Sequence, residues 1–291
     1  MRAFSYAAPG SVQEATRLLA SANGGAKILA GGTDILVQLR EGLRQAELVV
    51  DIKKIPELME LRFDANSGLH LGASVPCYRL YENAELRQAY SALTDAARIV
   101  GGWQIQSRAS VGGNLCNSSP AADTVPPLIA LRATCRIARP DGAREVRAED
   151  FCVGPGRNLL ERGEMLVSLE LPPPAPHSGS AYERFIPRNE MDIAVVGVAS
   201  WVKLNESGDR IEAARIAVGA AAPTPQLAVE ASDFLAGKPA TEDTFAQAGE
   251  LTRKVASPID DMRGTIEFRT HLVGVLAKRT LALAVERAKG N

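Results

Sequence analysis

Four prolines within five residues interrupt the chain at Pro172-Pro173-Pro174-Ala175-Pro176. Because proline fixes φ and lacks a backbone N–H, this segment can form neither a helix nor a central strand. We therefore expect an extended linker that separates two domains, residues 1–175 and 177–291. The length of 291 residues suits two domains, each large enough for its own hydrophobic core.

The first 55 residues show the pattern of a small β-α-β-α-β unit. Ser11 and Glu14 have the spacing of a capping box, which predicts that a helix begins after Ser11. Apolar strands are predicted at Lys27–Ala30 and Leu48–Ile52, with a short helix through Leu36 between them. We expect these elements to form a first subdomain, about residues 1–55.

Residues 56–175 are expected to form a second subdomain of different character. Two short apolar segments, Met59–Phe63 and Leu69–Leu71, flank a turn-forming sequence and predict a β-hairpin. A long, polar, glycine-rich loop is predicted from Gly101 to Asp123, followed by a helix that begins near Pro126-Pro127.

Beyond the linker, the pattern predicts a small sheet and several helices. Ile193–Leu204 and Ile211–Val218 read as antiparallel strands, and Thr265–Lys289 reads as a long terminal helix. The chain as a whole is therefore expected to be α+β, with a C-terminal domain of antiparallel sheet plus helices.

Two Gly-Gly pairs, Ala30-Gly31-Gly32-Thr33 and Val111-Gly112-Gly113-Asn114, occur in successive α/β segments. Glycine permits positive φ and carries no side chain, so backbone N–H groups can approach a ligand closely. Phosphate accepts several such donors. One Gly-Gly turn is more often a tight turn without a ligand, but two of them facing each other predict a pyrophosphate and hence a dinucleotide. Neither loop has the G-x-G-x-x-G or GK[ST] pattern of the common nucleotide-binding folds.

Five segments together resemble the FAD-binding medium subunit of the xanthine dehydrogenase and carbon monoxide dehydrogenase family of molybdenum hydroxylases. They are Lys27–Leu36, Ala109–Cys116, Pro120–Thr124, Leu166–Pro172 and Arg188–Ala194. The resemblance implies a two-subdomain FAD-binding fold of the vanillyl-alcohol oxidase type. It also implies a C-terminal domain like that of the carbon monoxide dehydrogenase flavoprotein.

The resemblance further implies which residues contact FAD. The first pyrophosphate loop would comprise Ile28, Leu29, Ala30, Gly31, Gly32, Thr33, Asp34 and Ile35, and the second Ser110, Val111, Gly112, Gly113 and Asn114. Asp123 would accept hydrogen bonds from the ribose, Leu166 would pack near the flavin, and Arg184 matches a position that carries Lys in related chains. The alternatives are that Asp123 caps the following helix and that Arg184 is an exposed surface residue.

FAD is expected to be bound noncovalently. Some relatives of the wider fold carry a His in a Gly-Gly-His loop that attaches the flavin, and here that position is Thr33. We expect no catalytic side chain and no metal ligand in this chain. The four cysteines, Cys77, Cys116, Cys135 and Cys152, include no CxxC pair and are expected to be free thiols.

The resemblance implies a function in electron transfer. The chain would take electrons from [2Fe-2S] clusters of a small partner subunit and pass them to an acceptor such as NAD⁺ or a quinone. A large partner subunit would carry the molybdenum cofactor, in a heterotrimer or its dimer. The alternatives are a self-sufficient flavin oxidase or dehydrogenase on the same fold, and a scaffold subunit without flavin.

Charge and hydropathy exclude other classes of partner. Lys+Arg 33 against Asp+Glu 34 leaves a formal net charge of -1 and no long basic run, so no nucleic-acid partner is expected. No uninterrupted apolar stretch is long enough to span a membrane. The first ten residues lack the apolar segment of a secretory signal, and we expect a cytoplasmic protein.

Overall fold

The computed structural model describes residues 2–188 and 190–290, so that Asn189 of the Arg188–Ala194 segment lies outside the described residues. The chain begins with a three-stranded parallel sheet of order β1-β3-β2. Its elements are β1 (Ser5–Ala7), α1 (Val12–Ser21), β2 (Ala26–Leu29), α2 (Ile35–Arg40) and β3 (Leu48–Asp51). The predicted β-α-β-α-β unit and its capping box are confirmed, because Ser11 Oγ accepts a hydrogen bond from the Glu14 N–H at 3.2 Å.

A five-stranded antiparallel sheet of order β4-β5-β10-β6-β7 follows. After a 3-10 helix at Pro56–Met59, its elements are β4 (Leu61–Asp64), β5 (Gly68–Gly72), α3 (Tyr78–Tyr81), α4 (Ala84–Ala89), α5 (Ser91–Ala97), α6 (Trp103–Gln106), α7 (Val111–Asn117), α8 (Val125–Ala130), β6 (Thr134–Arg139), β7 (Gly142–Arg147), α9 (Ala148–Phe151), the short hairpin strands β8 (Cys152–Gly154) and β9 (Arg157–Asn158), and β10 (Met165–Leu171). The predicted hairpin is confirmed as β4 and β5.

The prediction of one long loop from Gly101 to Asp123 is wrong, because helices α6 and α7 lie within it. Ser110 begins α7 as its N-cap, and its Oγ accepts from the Gly113 N–H at 3.0 Å. Gly112 allows α7 to pack against the strand end at Ala73, since a β-carbon at residue 112 would lie 2.5 Å from the Ala73 carbonyl oxygen. Tertiary packing therefore outweighs the low helix propensity of the two glycines.

The C-terminal part contains a four-stranded antiparallel sheet of order β11-β12-β13-β14, covered by a long helix. Its elements are β11 (Ser178–Phe185), β12 (Val196–Leu204), β13 (Ile211–Gly219), β14 (Gln226–Leu227), α10 (Val229–Leu235), α11 (Glu242–Thr252), a 3-10 helix at Arg253–Val255, and α12 (Ile266–Lys289). The expected antiparallel sheet and terminal helix are confirmed. Strand β11 was not predicted; it precedes the two predicted strands and carries Tyr182 and Arg184.

The C-terminal sheet packs directly against the helices of the five-stranded unit. Tyr182, Ala199 and Ala217 are buried in the same core as α5 and α8. At this junction an ion pair joins Arg287 to Asp95, with Nη1 and Oδ2 2.6 Å apart. The units therefore share one continuous interface and do not depend on the linker alone for their arrangement.

All four cysteines are free thiols. Burial raises the pKa of both Cys77 and Cys116 to about 12, so these thiols remain protonated at neutral pH. Within residues 2–188 and 190–290, no helix is long and apolar enough to cross a membrane.

The packing of β11 against α12 leaves no room for a side chain at Gly179. A β-carbon there would lie 2.2 Å from the Ala284 carbonyl oxygen and 2.5 Å from the Ala288 backbone nitrogen. We expect Gly179→Ala to lower the free energy of unfolding by about 1–3 kcal/mol, because backbone atoms must move to accept the methyl group. Urea denaturation measures this effect. Gly10→Ala is the matched control, since nothing lies within 4 Å of a β-carbon at residue 10; equal losses for the two variants would contradict the packing argument.

Candidate functional site

A cavity of about 1190 Å³ lies where the parallel sheet, the five-stranded unit and strand β11 meet. It brings together all but two of the residues predicted from the sequence. Those that line it are Ile28, Ala30, Gly31, Gly32, Thr33, Asp34, Ile35, Ser110, Gly112, Gly113, Asn114, Asp123, Leu166 and Arg184. The exceptions are Leu29 and Val111; the Val111 side chain is buried in the core of the five-stranded unit.

The first Gly-Gly loop connects β2 to α2 and contacts the segment before α7. A β-carbon at Gly31 would lie 1.9 Å from the Arg108 carbonyl oxygen, so only glycine permits this approach of the two backbones. Gly32 has φ of +82°, a left-handed conformation that glycine adopts without strain. In the part of the chain that the structure describes, the backbone N–H groups of residues 31–34 have no acceptor. This row of free donors borders the cavity.

The second Gly-Gly loop is the first turn of α7. A β-carbon at Gly113 would contact only Ser110 Oγ, at 3.0 Å, so this glycine leaves space on the cavity side. Asn114 is held by the next helix, because its Oδ1 accepts from the Thr124 hydroxyl at 2.7 Å and from the Thr124 N–H at 3.3 Å. The two loops therefore differ: the first offers free backbone donors, and the second offers space beside a fixed polar side chain.

Asp123 is buried and pairs with two side chains of β11. Its Oδ1 accepts from the Tyr182 hydroxyl at 2.8 Å, and its Oδ2 lies 2.6 Å from Arg184 Nη1. Burial raises the pKa of Asp123 to about 6, against the opposing effect of Arg184 and Tyr182, so the carboxyl is ionised at neutral pH. The two alternative interpretations of these residues are wrong. Thr124, not Asp123, is the N-cap of α8, and Arg184 is not an exposed surface residue, because its side chain is only 6% exposed.

Leu166 lies on β10, where it is buried and forms part of the apolar wall. Sequence reasoning missed several other residues that line the cavity. Lys27, Arg44 and Arg157 add positive charge, and Ile193 adds an exposed apolar side chain at the rim. Ile193 belongs to the Arg188–Ala194 segment that carried part of the resemblance, so a signal for it existed, whereas Arg44 and Arg157 lie outside every segment that carried the resemblance.

The residues present fit a ligand that is elongated and has an anionic centre. Free backbone N–H groups suit phosphate oxygens, and the glycines leave space for close approach. The charged lining is mixed, because the cations Lys27, Arg44 and Arg157 share the cavity with the carboxyl groups of Asp34, Glu161 and Asp192. The free N–H groups are therefore the feature that most favours an anion. Leu166 and Ile193 supply apolar surface for a planar ring. These features are those that FAD requires.

Comparison with known families gives two matches that together span most of the chain. Residues 2–174 match the FAD binding domain in molybdopterin dehydrogenase, and residues 180–284 match the CO dehydrogenase flavoprotein C-terminal domain. The cavity described above is lined by residues from both matched regions.

Curated relatives match along their whole length. The xanthine dehydrogenase FAD-binding subunit of Escherichia coli O157:H7 is 34% identical over 287 residues, covering 98% of this chain and 97% of the relative. The carbon monoxide dehydrogenase medium chain of Hydrogenophaga pseudoflava is 32% identical, with 98% of both chains covered.

Solved structures agree with these relatives. A chain of the Hydrogenophaga pseudoflava carbon monoxide dehydrogenase that lacks the Mo-pyranopterin moiety of the molybdenum cofactor superposes with a TM-score of 0.93 at 31% identity, covering 98% of both chains. A chain of quinoline 2-oxidoreductase from Pseudomonas putida 86 gives a TM-score of 0.90 at 33% identity, covering 99% of this chain and 98% of that one. This protein therefore belongs to the family of FAD-binding medium subunits of the xanthine and carbon monoxide dehydrogenases.

Proposed function

We propose that this chain is the electron-transfer flavoprotein subunit of a multi-subunit molybdenum hydroxylase. It takes electrons from [2Fe-2S] clusters of a partner subunit and passes them to an external acceptor such as NAD⁺ or a quinone. The observation that carries the proposal is the cavity: two Gly-Gly loops and strand β11 enclose it, in a chain that matches medium subunits over 98% of its length. The proposed FAD-binding domain is 1–175, with subdomains of about 1–55 and 56–175, and the C-terminal domain is 177–291.

The residues of the cavity would hold FAD in three ways. Backbone N–H groups of residues 31–34 would donate to the pyrophosphate, and Gly113 would allow close approach. Leu166 would pack near the flavin, and Arg184, held by Asp123, would present a positive charge that does not move. When bound, FAD supplies the one- and two-electron chemistry of the subunit.

Asp123 remains suited to a ribose hydroxyl even though both of its oxygens already accept hydrogen bonds. Each carboxylate oxygen has two lone pairs and can accept a second donor. Tyr182 and Arg184 each use one of these positions, on different oxygens. The pairing therefore orients the carboxylate without filling it.

A large molybdenum-cofactor subunit and a small [2Fe-2S] subunit are the proposed partners, in a heterotrimer or its dimer. Beside the cavity rim, Trp103 is 80% exposed, Met191 50% and Ile193 53%. Gln104 Nε2 lies 3.5 Å from Met191 Sδ, which places the Trp103 segment next to that rim. Exposed apolar side chains in one region commonly mark a contact surface for another protein.

We also propose a cytoplasmic location, in keeping with four free thiols.

We expect FAD to bind noncovalently, because Thr33 offers no imidazole for attachment. Acid precipitation of the reconstituted protein should leave the flavin in the supernatant; a pellet that stays yellow would contradict the prediction.

Gly113→Val should weaken FAD binding by about tenfold or more, since the methyl groups of the valine would occupy space for the ligand. Gly10→Val is the control, and fluorescence titration of FAD measures both variants.

The isolated FAD-loaded chain should hydroxylate no purine, aldehyde or N-heterocycle, because the proposal assigns that reaction to the molybdenum subunit. Product analysis by mass spectrometry tests this, with the complex purified from the native host as the positive control. Metal analysis of that complex should find molybdenum and iron. Oxygen insertion by the metal-free chain would establish a self-sufficient oxidase instead, and a colourless protein that cannot take up FAD would establish the scaffold alternative.

The buried carboxyl of Asp123 should make stability depend on pH. Its folded pKa of about 6 lies above the ordinary 3.8, so between these values the folded protein holds a proton that the unfolded chain has lost. The contribution of this group to the free energy of unfolding therefore falls as pH rises from about 4 to 7, by at most about 3 kcal/mol.

Asp123→Asn should remove this fall, so that the stability of wild type relative to the variant decreases between pH 4 and pH 7. Urea denaturation of the flavin-free protein at a series of pH values measures it. Asp141→Asn is the control, because the Asp141 side chain is 84% exposed. Parallel pH profiles of wild type and Asp123→Asn would show that the carboxyl does not titrate as proposed.

A further inference from the structure

Two cationic side chains hold consecutive carbonyl groups of the first Gly-Gly loop. Lys53 Nζ donates to the Ala30 carbonyl oxygen at 3.0 Å, and Arg108 Nε donates to the Gly31 carbonyl oxygen at 3.2 Å. Lys53 follows strand β3, whereas Arg108 follows α6, so the loop is held from two different units. Neither side chain is among those that line the cavity in the described part of the chain.

The direction of these carbonyl groups determines the direction of the next N–H groups. In a trans peptide the C=O of one residue and the N–H of the next point in opposite directions in the same plane. No cis peptide bond occurs among the described residues. Lys53 therefore orients the N–H of Gly31, and Arg108 orients the N–H of Gly32, each away from the cation that holds the carbonyl.

The N–H groups so oriented belong to residues that line the cavity. Gly31 and Gly32 are part of its wall, and their N–H groups have no acceptor within the described chain. Because Lys53 and Arg108 lie outside this wall, a ligand there meets the neutral donors and not the ammonium or the guanidinium.

Lys53 is itself fixed in position by a network at the end of β3. Asp51 Oδ1 accepts from Lys53 Nζ at 2.7 Å, and Asp51 Oδ2 accepts from the Tyr6 hydroxyl at 2.8 Å. Although burial acts in the opposite direction, the hydrogen bonds from Lys53 and Tyr6 lower the pKa of Asp51, so that carboxyl stays ionised. A paired ammonium with an ionised partner has little freedom to leave the Ala30 carbonyl.

We propose that Lys53 and Arg108 are positioning residues for diphosphate binding: they hold the peptide groups of residues 30–32 so that the N–H groups of Gly31 and Gly32 face the cavity. The inference rests on the proposed FAD site and assigns the orientation of its donors to two residues that do not touch the ligand. Replacing either side chain frees a peptide group to rotate, and an oriented donor is lost.

Lys53→Met and Arg108→Met should each weaken FAD binding by about tenfold or more, since each removes a charge-assisted hydrogen bond that orients a donor. Titrations with ADP and with adenosine separate the causes: ADP affinity should fall in parallel with FAD affinity, and adenosine affinity should stay unchanged because adenosine has no diphosphate. Lys53→Arg should recover most of the FAD affinity, because guanidinium keeps both charge and donors.

Lys54→Met is the matched control. Lys54 is the next residue, has the same charge and is exposed, and no hydrogen bond from it to the loop is present in the described chain. If Lys53 acted only through long-range attraction between its charge and the diphosphate, Lys54→Met would weaken FAD binding as much as Lys53→Met. Thermal unfolding of the flavin-free proteins shows whether each variant folds. If Lys53→Met does not fold, Arg108→Met tests the same loop from another unit.

The outcomes separate the positioning role from the proposed function. A wild-type protein that binds neither FAD nor ADP would overturn the proposed function and the inference with it. Wild-type binding of FAD with unchanged affinity in both folded Met variants would overturn the positioning role alone. An equal loss of adenosine affinity would show a general structural defect, and it too would overturn the role. Loss of FAD and ADP affinity with adenosine and Lys54→Met unchanged supports it.

Discussion

The backbones of Gly31 and Arg108 lie in direct contact, and the rest of the site depends on how closely they approach. No side chain can separate them, because a β-carbon at residue 31 would lie 1.9 Å from the Arg108 carbonyl oxygen. The contact joins the parallel sheet to the five-stranded unit, and both Gly31 and Ser110 line the cavity next to it. The approach of the two segments is therefore limited by backbone contact, since residue 31 has no side chain that would keep Arg108 farther away.

A buried ion pair fixes the third wall of the cavity. Asp123 belongs to the five-stranded unit, whereas Tyr182 and Arg184 belong to β11 of the C-terminal sheet. Replacing one member of the pair would leave the other charge buried without its partner, which is strongly destabilising. The pair that orients Arg184 at the cavity thus also crosses the contact between the two units.

Local features of the site could be predicted from the sequence, and long-range pairings could not. The Gly-Gly loops were recognisable because the conformational freedom of glycine is a property of the residue itself. Helix α7 was not predicted, because glycine at residue 112 is unfavourable in a helix. Glycine is required there by a tertiary contact with Ala73, which the local sequence does not show. The pairing of Asp123 with Arg184 spans 61 residues and leaves no local pattern. The hydrogen bond from Lys53 to the Ala30 carbonyl oxygen spans 23 residues and could not be predicted for the same reason.

Charged side chains near the cavity have partners within the chain. Lys53 is neutralised by Asp51, and Arg184 by Asp123, so neither cation depends on a ligand for its partner. The donors without a partner among the described residues at the first loop are neutral N–H groups. A bound dinucleotide would contact walls from all three units, which the unfolded chain cannot provide. Its binding free energy would therefore add to the stability of the assembled fold, in proportion to the logarithm of ligand concentration over Kd once that ratio is large.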